Sequence, residues 1–314
     1  MDTNWLRETI ERQRAGLSAR LTLPLAHIAE ACAPAWDNPK ALDRVLADGL
    51  TAISPCNLLY AIDTEGRQLS ANVGLGQVDA AVRGQNLANQ PYLVSAVPSS
   101  GFLLSDVYIS RVTARPCVTA VQAVTIMGHV TGFIAADFVL RDLPLVEAPA
   151  RRAAAWQQIK GDPAIRDTVF SQQRTTSEMD RHMPDVIAIM DELLGERGVF
   201  HAKLHFSSSR ATLWLTDDPF RYRLHVLQEI TDPALCLAYP QRSYPEMALV
   251  ARDRIKEIFD RFVLLRNGDK TLYLRSGSLN LINGMVGLTF SCDGSHYLPA
   301  DEFLTKDERF WFGT

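Results

Sequence analysis

Long apolar runs and paired cysteines are missing from this sequence, and each absence excludes a class of protein. Nowhere in the 314 residues do about eighteen apolar residues follow one another, and the first twenty residues carry charges throughout. The sequence therefore predicts neither a transmembrane helix nor a signal peptide, and we expect a cytoplasmic protein without membrane contact. The five cysteines stand singly, without a Cys-x-x-Cys pair. This favours free thiols in a reducing compartment.

Basic clusters and familiar catalytic motifs are also absent. The formal net charge is −4 with a pI near 6.0, and no segment concentrates Lys or Arg. A mildly acidic surface gains nothing from the phosphates of a nucleic acid, so we expect no nucleic-acid partner. The sequence has no Walker A loop, no Gly-x-Gly-x-x-Gly after a strand and no His-Glu-x-x-His. We therefore expect no cofactor, and neither a metal site nor catalytic residues of a known kind.

The composition is that of a globular protein with two domains. Apolar residues make up 47% and charged residues 22% of the chain, which allows a sizeable core. A length of 314 residues favours two domains, which we place at 1–146 and 147–314. The boundary follows Leu143-Pro144, and an Ala- and Arg-rich connector is expected at 147–155.

Two helices are predicted at the N-terminus. Apolar residues recur at helical spacing in the first, at Leu6, Ile10, Leu17, Leu21 and Ile28. Pro24 should kink this helix or divide it. Asn38-Pro39 begins the second helix.

Five antiparallel strands should follow these helices, because the apolar period changes to that of strands and turns. They are predicted at 56–62, 67–73, 102–110, 116–126 and 130–140, with a short helix near Pro91. Met127-Gly128-His129 supplies the tight turn between the last two.

The C-terminal half is predicted to be a second α+β domain. Helices are expected at 184–194 and 245–262, a hairpin at 200–215, and further strands at 223–227, 235–238, 271–274 and 286–292. Both halves of this region run helix then hairpin, but their sequences do not match as repeats.

Four short motifs lie in a fixed order in the central region. They are Asn89-Gln90-Pro91-Tyr92, Ser105-Asp106-Val107-Tyr108-Ile109-Ser110, Arg115-Pro116-Cys117-Val118-Thr119 and Gly132-Phe133-Ile134-Ala135-Ala136-Asp137-Phe138. Residues of about 56–144 thereby resemble a PDC/Cache-type, PAS-like sensor domain. The resemblance implies a five-stranded antiparallel sheet, N-terminal helices that pack on it and often dimerise, and a ligand pocket between one sheet face and the segment around Pro91.

The candidate ligand-binding residues are polar side chains near that pocket. They are Tyr92, Tyr108, Ser110, Arg111, Thr119 and Asp137. In amino-acid-binding relatives the residue matching Asp137 receives the ligand ammonium group; the alternative is a carboxylate that bonds the backbone at a strand end. The two tyrosines either clamp a ligand or fill the core. The Arg and Trp that grip a ligand carboxylate in that branch are missing here, and Arg83 or Arg111 could replace that charge.

Two polar strings lie outside this region. Cys292, Asp293, Ser295 and His296 crowd a predicted strand end, where a nucleophile and a base could meet; Asp-Gly is equally typical of a hairpin turn. His201, Lys203 and His205 should share one face of a strand. The neighbouring lysine disfavours a metal ion there, so an exposed strand face is the preferred interpretation.

The sequence thus predicts a cytoplasmic sensor and signal-transduction protein rather than an enzyme. Its ligand should be a small organic acid, amine or amino-acid-like molecule. A homodimer through the N-terminal helices is expected, with output through the C-terminal domain or a signalling protein partner. Two alternatives remain: a hydrolase-like enzyme with its site at Cys292–His296 and a regulatory sensor domain, or a scaffold that binds no ligand.

Overall fold

A computed structural model describes residues 4–94, 101–111, 113–143, 173–292 and 294–312. They form two compact units, one ending at Leu143 and the other beginning at Gln173. Each unit combines helices with an antiparallel sheet. The α+β class is therefore confirmed, and so is an antiparallel sheet with N-terminal helices, although the described residues of the first sheet form seven strands where five were predicted. The connector expected at 147–155 lies outside the described residues.

In the first unit, helices α1 to α3 and strands β1 to β7 are described. They are α1 (Asn4–Cys32), α2 (Pro39–Leu50), β1 (Leu58–Asp63), β2 (Asn72–Gly74), β3 (Gln77–Asp79), α3 (Pro91–Val94), β4 (Phe102–Leu104), β5 (Tyr108–Ile109), β6 (Pro116–Ile126) and β7 (His129–Val139). The sheet order is β3-β2-β1-β7-β6-β4, and β5 also pairs with β6. Neighbouring strands are antiparallel throughout.

Helix α1 covers one face of this sheet. It contacts β6 and β4, and its side chains Leu17, Leu21 and Leu25 are buried. The helix continues through Pro24 instead of dividing there, because burial on both sides of the proline outweighs the loss of one backbone hydrogen bond. Helix α2 begins as predicted, with the Asn38 side chain accepting a hydrogen bond from the Ala41 amide at 3.2 Å.

The strands differ from the prediction mainly at the sheet edges. The predicted strand at 67–73 contributes isolated bridges at Arg67 and Gln68, and its last residues continue into the unpredicted hairpin β2–β3. The predicted strand at 102–110 divides into β4 and β5. The turn of the long β6–β7 hairpin has positive φ at Met127 and Gly128, as a tight hairpin requires.

The second unit is a six-stranded sheet with helices packed on one face. Its elements are α4 (Glu178–Arg181), α5 (Met183–Glu196), β8 (Val199–His205), β9 (Arg210–Leu215), β10 (Asp218–Val226), α6 (Leu227–Ile230), α7 (Arg254–Asn267), β11 (Leu274–Asn280), β12 (Met285–Phe290), β13 (Ser295–Pro299), α8 (Ala300–Thr305) and α9 (Glu308–Phe312). The sheet order is β10-β9-β8-β11-β12-β13.

One arrangement occurs twice in this unit. A helix of 14 residues, α5 or α7, precedes a three-stranded antiparallel meander, β8–β10 or β11–β13. The first turn of each meander ends in a residue of positive φ, Ser209 at 51° and Gly284 at 69°. The copies meet where β8 pairs with β11. The backbone therefore shows a repeat that residue identities do not indicate.

One predicted strand of this unit is a helix in the structure, and one observed strand was not predicted. Residues 235–238 lie in a 3₁₀ helix (Pro233–Ala238) and not in a strand, because Asp232 caps the turn and Pro233 starts it. Strand β13 was not predicted, since Gly294 and Ser295 were interpreted only as a turn. Among the described residues no helix is long and apolar enough to cross a bilayer.

Candidate ligand-binding site

A row of polar side chains crosses the face of the first sheet opposite α1. Thr119 on β6 and Asp137 on β7 are direct cross-strand partners. Tyr108 on β5 lies opposite Cys117, two residues before Thr119, and Tyr60 on β1 lies opposite Ala135, two residues before Asp137. Because side chains alternate along strands, these four residues share one face.

The hydroxyl of Thr119 connects Tyr108 to the carboxylate. Thr119 Oγ1 donates to Asp137 Oδ1 at 2.7 Å, and the Tyr108 hydroxyl lies 2.8 Å from the same Oγ1. A threonine hydroxyl has one proton, and Thr119 uses it in the hydrogen bond to Asp137. Tyr108 must therefore donate to Thr119, which in turn donates to Asp137.

Tyr60 lies between the carboxylate and the short helix α3. Its hydroxyl is 2.7 Å from the hydroxyl of Tyr92, and 3.3 and 3.4 Å from Asp137 Oδ1 and Oδ2. The single phenolic proton cannot serve both partners, and the contacts to the carboxylate are long. Asp137 Oδ2 therefore has no short hydrogen bond from any described residue.

Burial governs the charge of this cluster. Loss of solvent raises the pKa of Asp137 to about 6, although hydrogen bonds from Thr119 and Tyr60 oppose that rise. No basic side chain among the described residues forms an ion pair with it. Burial, together with the nearby Asp137 charge, also raises the pKa of Tyr60, Tyr92 and Tyr108. The phenols are therefore neutral donors around one uncompensated carboxylate.

Aromatic rings and apolar side chains surround the polar row. The Tyr92 ring lies 6.5 Å from the Tyr60 ring and 6.3 Å from the Tyr108 ring, centroid to centroid. Partly buried apolar side chains pack against the same cluster: Leu58, Leu87, Leu93, Leu103 and Phe133. Polar groups on rigid strands amid apolar surroundings are typical of small-molecule sites.

The structure thus brings together four of the six candidate residues and separates the other two. Tyr92, Tyr108, Thr119 and Asp137 form the cluster. Ser110 lies in the turn after β5, where its Oγ accepts from the Thr113 amide at 3.3 Å, and Arg111 is exposed in the same turn. Arg83 forms an ion pair with Asp43.

One cluster residue, Tyr60, was missed from the sequence. The sequence predicts residues 56–62 as a short apolar strand, in which Tyr60 does not stand out as a candidate. The available signal was the pairing of this strand with the one that contains Asp137, which places Tyr60 diagonally across from the carboxylate.

The string at Cys292–His296 shows no catalytic arrangement in the residues that the structure describes. Cys292 is exposed, and no hydrogen bond joins it to His296. The Ser291 hydroxyl donates to the Thr271 carbonyl at 2.6 Å, and the His296 ring packs edge-on against Phe290. Asp293 lies outside the described residues. His201, Lys203 and His205 do share one strand face, as predicted, but all three are partly buried and not exposed.

Comparison with known proteins finds likeness only among solved structures; no family model and no curated protein matches the chain. The ligand-binding domain of the Pseudomonas fluorescens chemoreceptor CtaA, in complex with L-isoleucine, is 20% identical over 43% of this chain and 53% of its own, with a TM-score of 0.33. That of the Pseudomonas aeruginosa amino acid chemoreceptor PctB, in complex with L-glutamine, is 16% identical over 45% and 56%, with a TM-score of 0.32.

An extracellular ligand binding receptor from Desulfohalobium retbaense is 12% identical over 44% of this chain and 25% of its own, with a TM-score of 0.35. This chain thus covers between 25% and 56% of the length of these three structures. The resemblance predicted from the sequence is to a PDC/Cache-type sensor domain, and these three structures are ligand-binding domains of two chemoreceptors and an extracellular ligand binding receptor.

Proposed function

We propose that the first unit binds a small molecule through a primary ammonium group, and that the protein acts as a ligand-responsive sensor. One observation carries the proposal: Asp137 is a carboxylate enclosed by tyrosines, without a basic partner among the described residues. Burying a charge without a counter-ion is costly, and a bound cation removes that cost.

The hydrogen-bonding groups fit an ammonium group better than a carboxylate. Asp137 Oδ2 lacks a short donor, and phenolic oxygens that donate elsewhere retain lone pairs for an N–H. A ligand carboxylate would meet Asp137 as a like charge. Of the three ligand classes expected from the sequence, the geometry therefore favours an amine or an amino-acid-like molecule over a simple organic acid.

The surroundings suit the carbon part of such a ligand. The faces of Tyr60, Tyr92 and Tyr108 attract a cation electrostatically. Leu87, Leu93 and other apolar side chains of the same cluster offer contact for an aliphatic or aromatic body. Affinity from these apolar contacts does not depend on charge, whereas recognition of the ammonium group does.

We also propose how the protein signals and how it is assembled. Ligand state would be transmitted through the second unit or a signalling protein partner, in a homodimer formed by α1. Because Leu17 and Leu21 are already buried, the dimer contact would fall on the partly buried Leu6 and Ile10. Sedimentation of an Ile10→Glu variant tests this, and an unchanged dimer would contradict it. Five free cysteines support action in the cytoplasm, which cell fractionation tests.

Matched ligand triplets test the binding proposal by isothermal titration. L-leucine, 3-methylbutylamine and 4-methylpentanoate share one carbon skeleton and differ in their charged groups; equivalent triplets cover other side chains. We expect binding that depends on Asp137 only from compounds with an ammonium group. Asp137→Asn should weaken that binding about ten- to hundredfold, the worth of one charge-assisted hydrogen bond. Binding by the wild type should also weaken as the pH falls through about 6, because Asp137 gains a proton.

Asp79→Asn is the control, since it makes the same chemical change at an exposed residue of β3. It should bind like the wild type. Binding of the carboxylate-only compound that is lost in Asp137→Asn, or unchanged affinity of the ammonium compounds in Asp137→Asn, would overturn the assignment. If no compound of any class binds, the result favours the alternative of a scaffold that binds no ligand.

A further inference from the structure

The second sheet has one face that the long helices do not cover. Helices α5 and α7 lie on the other side, where a Cβ at Gly277 would come within 2.9 Å of the Phe262 ring on α7. Of the side chains on the opposite face, only Thr212, Ser276 and the position of Gly287 are buried. We refer to this face as the open face.

The strand register arranges the open face in three rows across all six strands. From β10 to β13 they are Tyr222, Trp214, His201, Asn280, Met285 and Pro299; then Leu224, Thr212, Lys203, Ser278, Gly287 and Tyr297; then Val226, Arg210, His205, Ser276, Thr289 and Ser295. Lys203 lies at the centre of the middle row, directly between Thr212 and Ser278.

The charges on this face have one sign. Lys203 and Arg210 are its basic residues, and none of its positions is Asp or Glu. No acidic side chain in the described part of the chain forms an ion pair with either. Burial lowers the pKa of Lys203. Burial and the Lys203 charge lower the pKa of His201 to about 4, so this imidazole is neutral at pH 7.

Aromatic side chains lie beside the row that contains Lys203. His201 stacks on Trp214 at 4.3 Å with 14° between the ring planes, and Tyr222 follows Trp214 at 5.7 Å. On the other side of Lys203 the residues are small, and a Cβ at Gly287 would lie 3.0 Å from the Tyr297 ring. The Tyr297 ring therefore lies over the glycine. This ring and the aromatic row lie near the hydroxyl groups of Thr212 and Ser278.

We propose that the open face binds a small organic oxyanion, a carboxylate or phosphate on an apolar or aromatic body, with Lys203 as its charge partner. A lysine ammonium provides three donors, and Ser278 and Thr212 add hydroxyls beside it. Trp214, Tyr222 and Tyr297 contact the body. A polyanion would need a row of bases, whereas this face has one central lysine and one arginine near its edge. The site is independent of Asp137.

Benzoate and phenyl phosphate are the probes, titrated calorimetrically into the full chain. Inorganic phosphate reports the charge without a body, and benzylamine reports the body with the opposite charge. We expect saturable binding of the first two, weaker binding of inorganic phosphate, and binding of benzylamine that does not depend on Lys203. Lys203→Met should weaken the binding of benzoate and of phenyl phosphate by about tenfold or more. Lys203→Arg should retain most of the affinity for both. Whichever of the two probes binds more tightly identifies the oxyanion.

Two controls keep the test specific. Lys256→Met removes an exposed lysine that pairs with Asp260 on α7, and Asp137→Asn disables the site of the first unit; both should bind the oxyanions like the wild type. Equal affinity in Lys203→Met, or no saturable binding in the wild type, overturns the proposal. So does tighter binding of a single-stranded oligonucleotide that displaces both probes.

Discussion

Asp137 in the first unit and Lys203 in the second are opposite in charge and alike in setting. Asp137 lies on a sheet face among tyrosines and a threonine, with no base paired to it in the described residues. Lys203 lies on a sheet face among aromatic rings and hydroxyls, and no acid in the part of the chain that the structure describes pairs with it. In both places neutral hydrogen-bonding groups surround the charge without neutralising it. Such a charge favours a ligand of the opposite sign.

Two other buried acidic side chains, both in the second unit, each have a basic partner, whereas Asp137 and Lys203 have no partner of opposite charge among the described residues. Glu192 and Arg197 are both fully buried and bond at 3.0 Å, and Asp180 and Arg266 bond at 2.9 Å with almost no exposure. Each of these buried charges is paired with a side chain of opposite charge. The comparison therefore predicts that removing a paired charge costs stability, whereas removing Asp137 or Lys203 does not.

The largest effect is expected from Glu192→Gln. The change keeps the shape of the side chain but leaves the Arg197 guanidinium buried without its counter-charge, which should cost about 3–5 kcal/mol. Hydrogen exchange of the β8 and β11 amides during denaturant titration measures it within the second unit. Glu178→Gln removes an exposed partner of Arg181 and should cost less than about 1 kcal/mol. Equal effects in the two variants would break the distinction between paired and unpaired charge.

Asp137→Asn should raise the stability of the folded state, by less than Glu192→Gln lowers it. The folded pKa of about 6 lies above the ordinary 3.8, so the folded state holds the proton more tightly than the unfolded state. Stability from this group is full below pH 4 and is lost as the pH rises through 6, by at most about 3 kcal/mol. The asparagine variant should therefore be more stable at pH 7.5, with a flatter pH profile, by exchange of the β6 and β7 amides. A less stable variant at that pH would mean that the carboxylate serves the fold.

The smallest effect is expected from Lys203→Met. Its ammonium is only partly buried, so replacing it with an apolar side chain of similar length should raise stability by less than about 1 kcal/mol. The pKa of His201 should rise toward 6.5, because the neighbouring charge is gone while the burial remains. Nuclear magnetic resonance of the imidazole measures this shift. An unchanged His201 pKa would show that the two side chains do not interact.

How much of this structure the sequence predicts depends on how far apart in the chain the interacting residues lie. Period-two alternation placed His201, Lys203 and His205 on one face, and the motifs around Tyr108 and Asp137 led to the cluster. Tyr60 was not predicted, because its role depends on the pairing of β1 with β7, more than seventy residues apart. The lack of an acidic partner for Lys203 was equally hidden, since it depends on the residues of the five other strands.

Local signals also misled where a turn and a strand share residues. Gly294 and Ser295 have turn chemistry, yet Ser295 already begins β13. Ser110 alternates with Tyr108, but the strand ends at Ile109, and its hydroxyl bonds within the turn. Element ends depend on hydrogen bonds that composition does not encode.

The repeat in the second unit has a consequence for how its chain can be divided. Its two helix-and-meander copies join the sheet through the single β8–β11 ladder, and the connection between them exposes Met247. Each half contains its own helix and three strands, and separation would leave one unpaired central edge on each. Co-expressed halves cut at Met247 should therefore reassemble by fragment complementation, because each edge is the other's missing neighbour. Assembly of the halves would then restore the row that carries Lys203 beside Ser278.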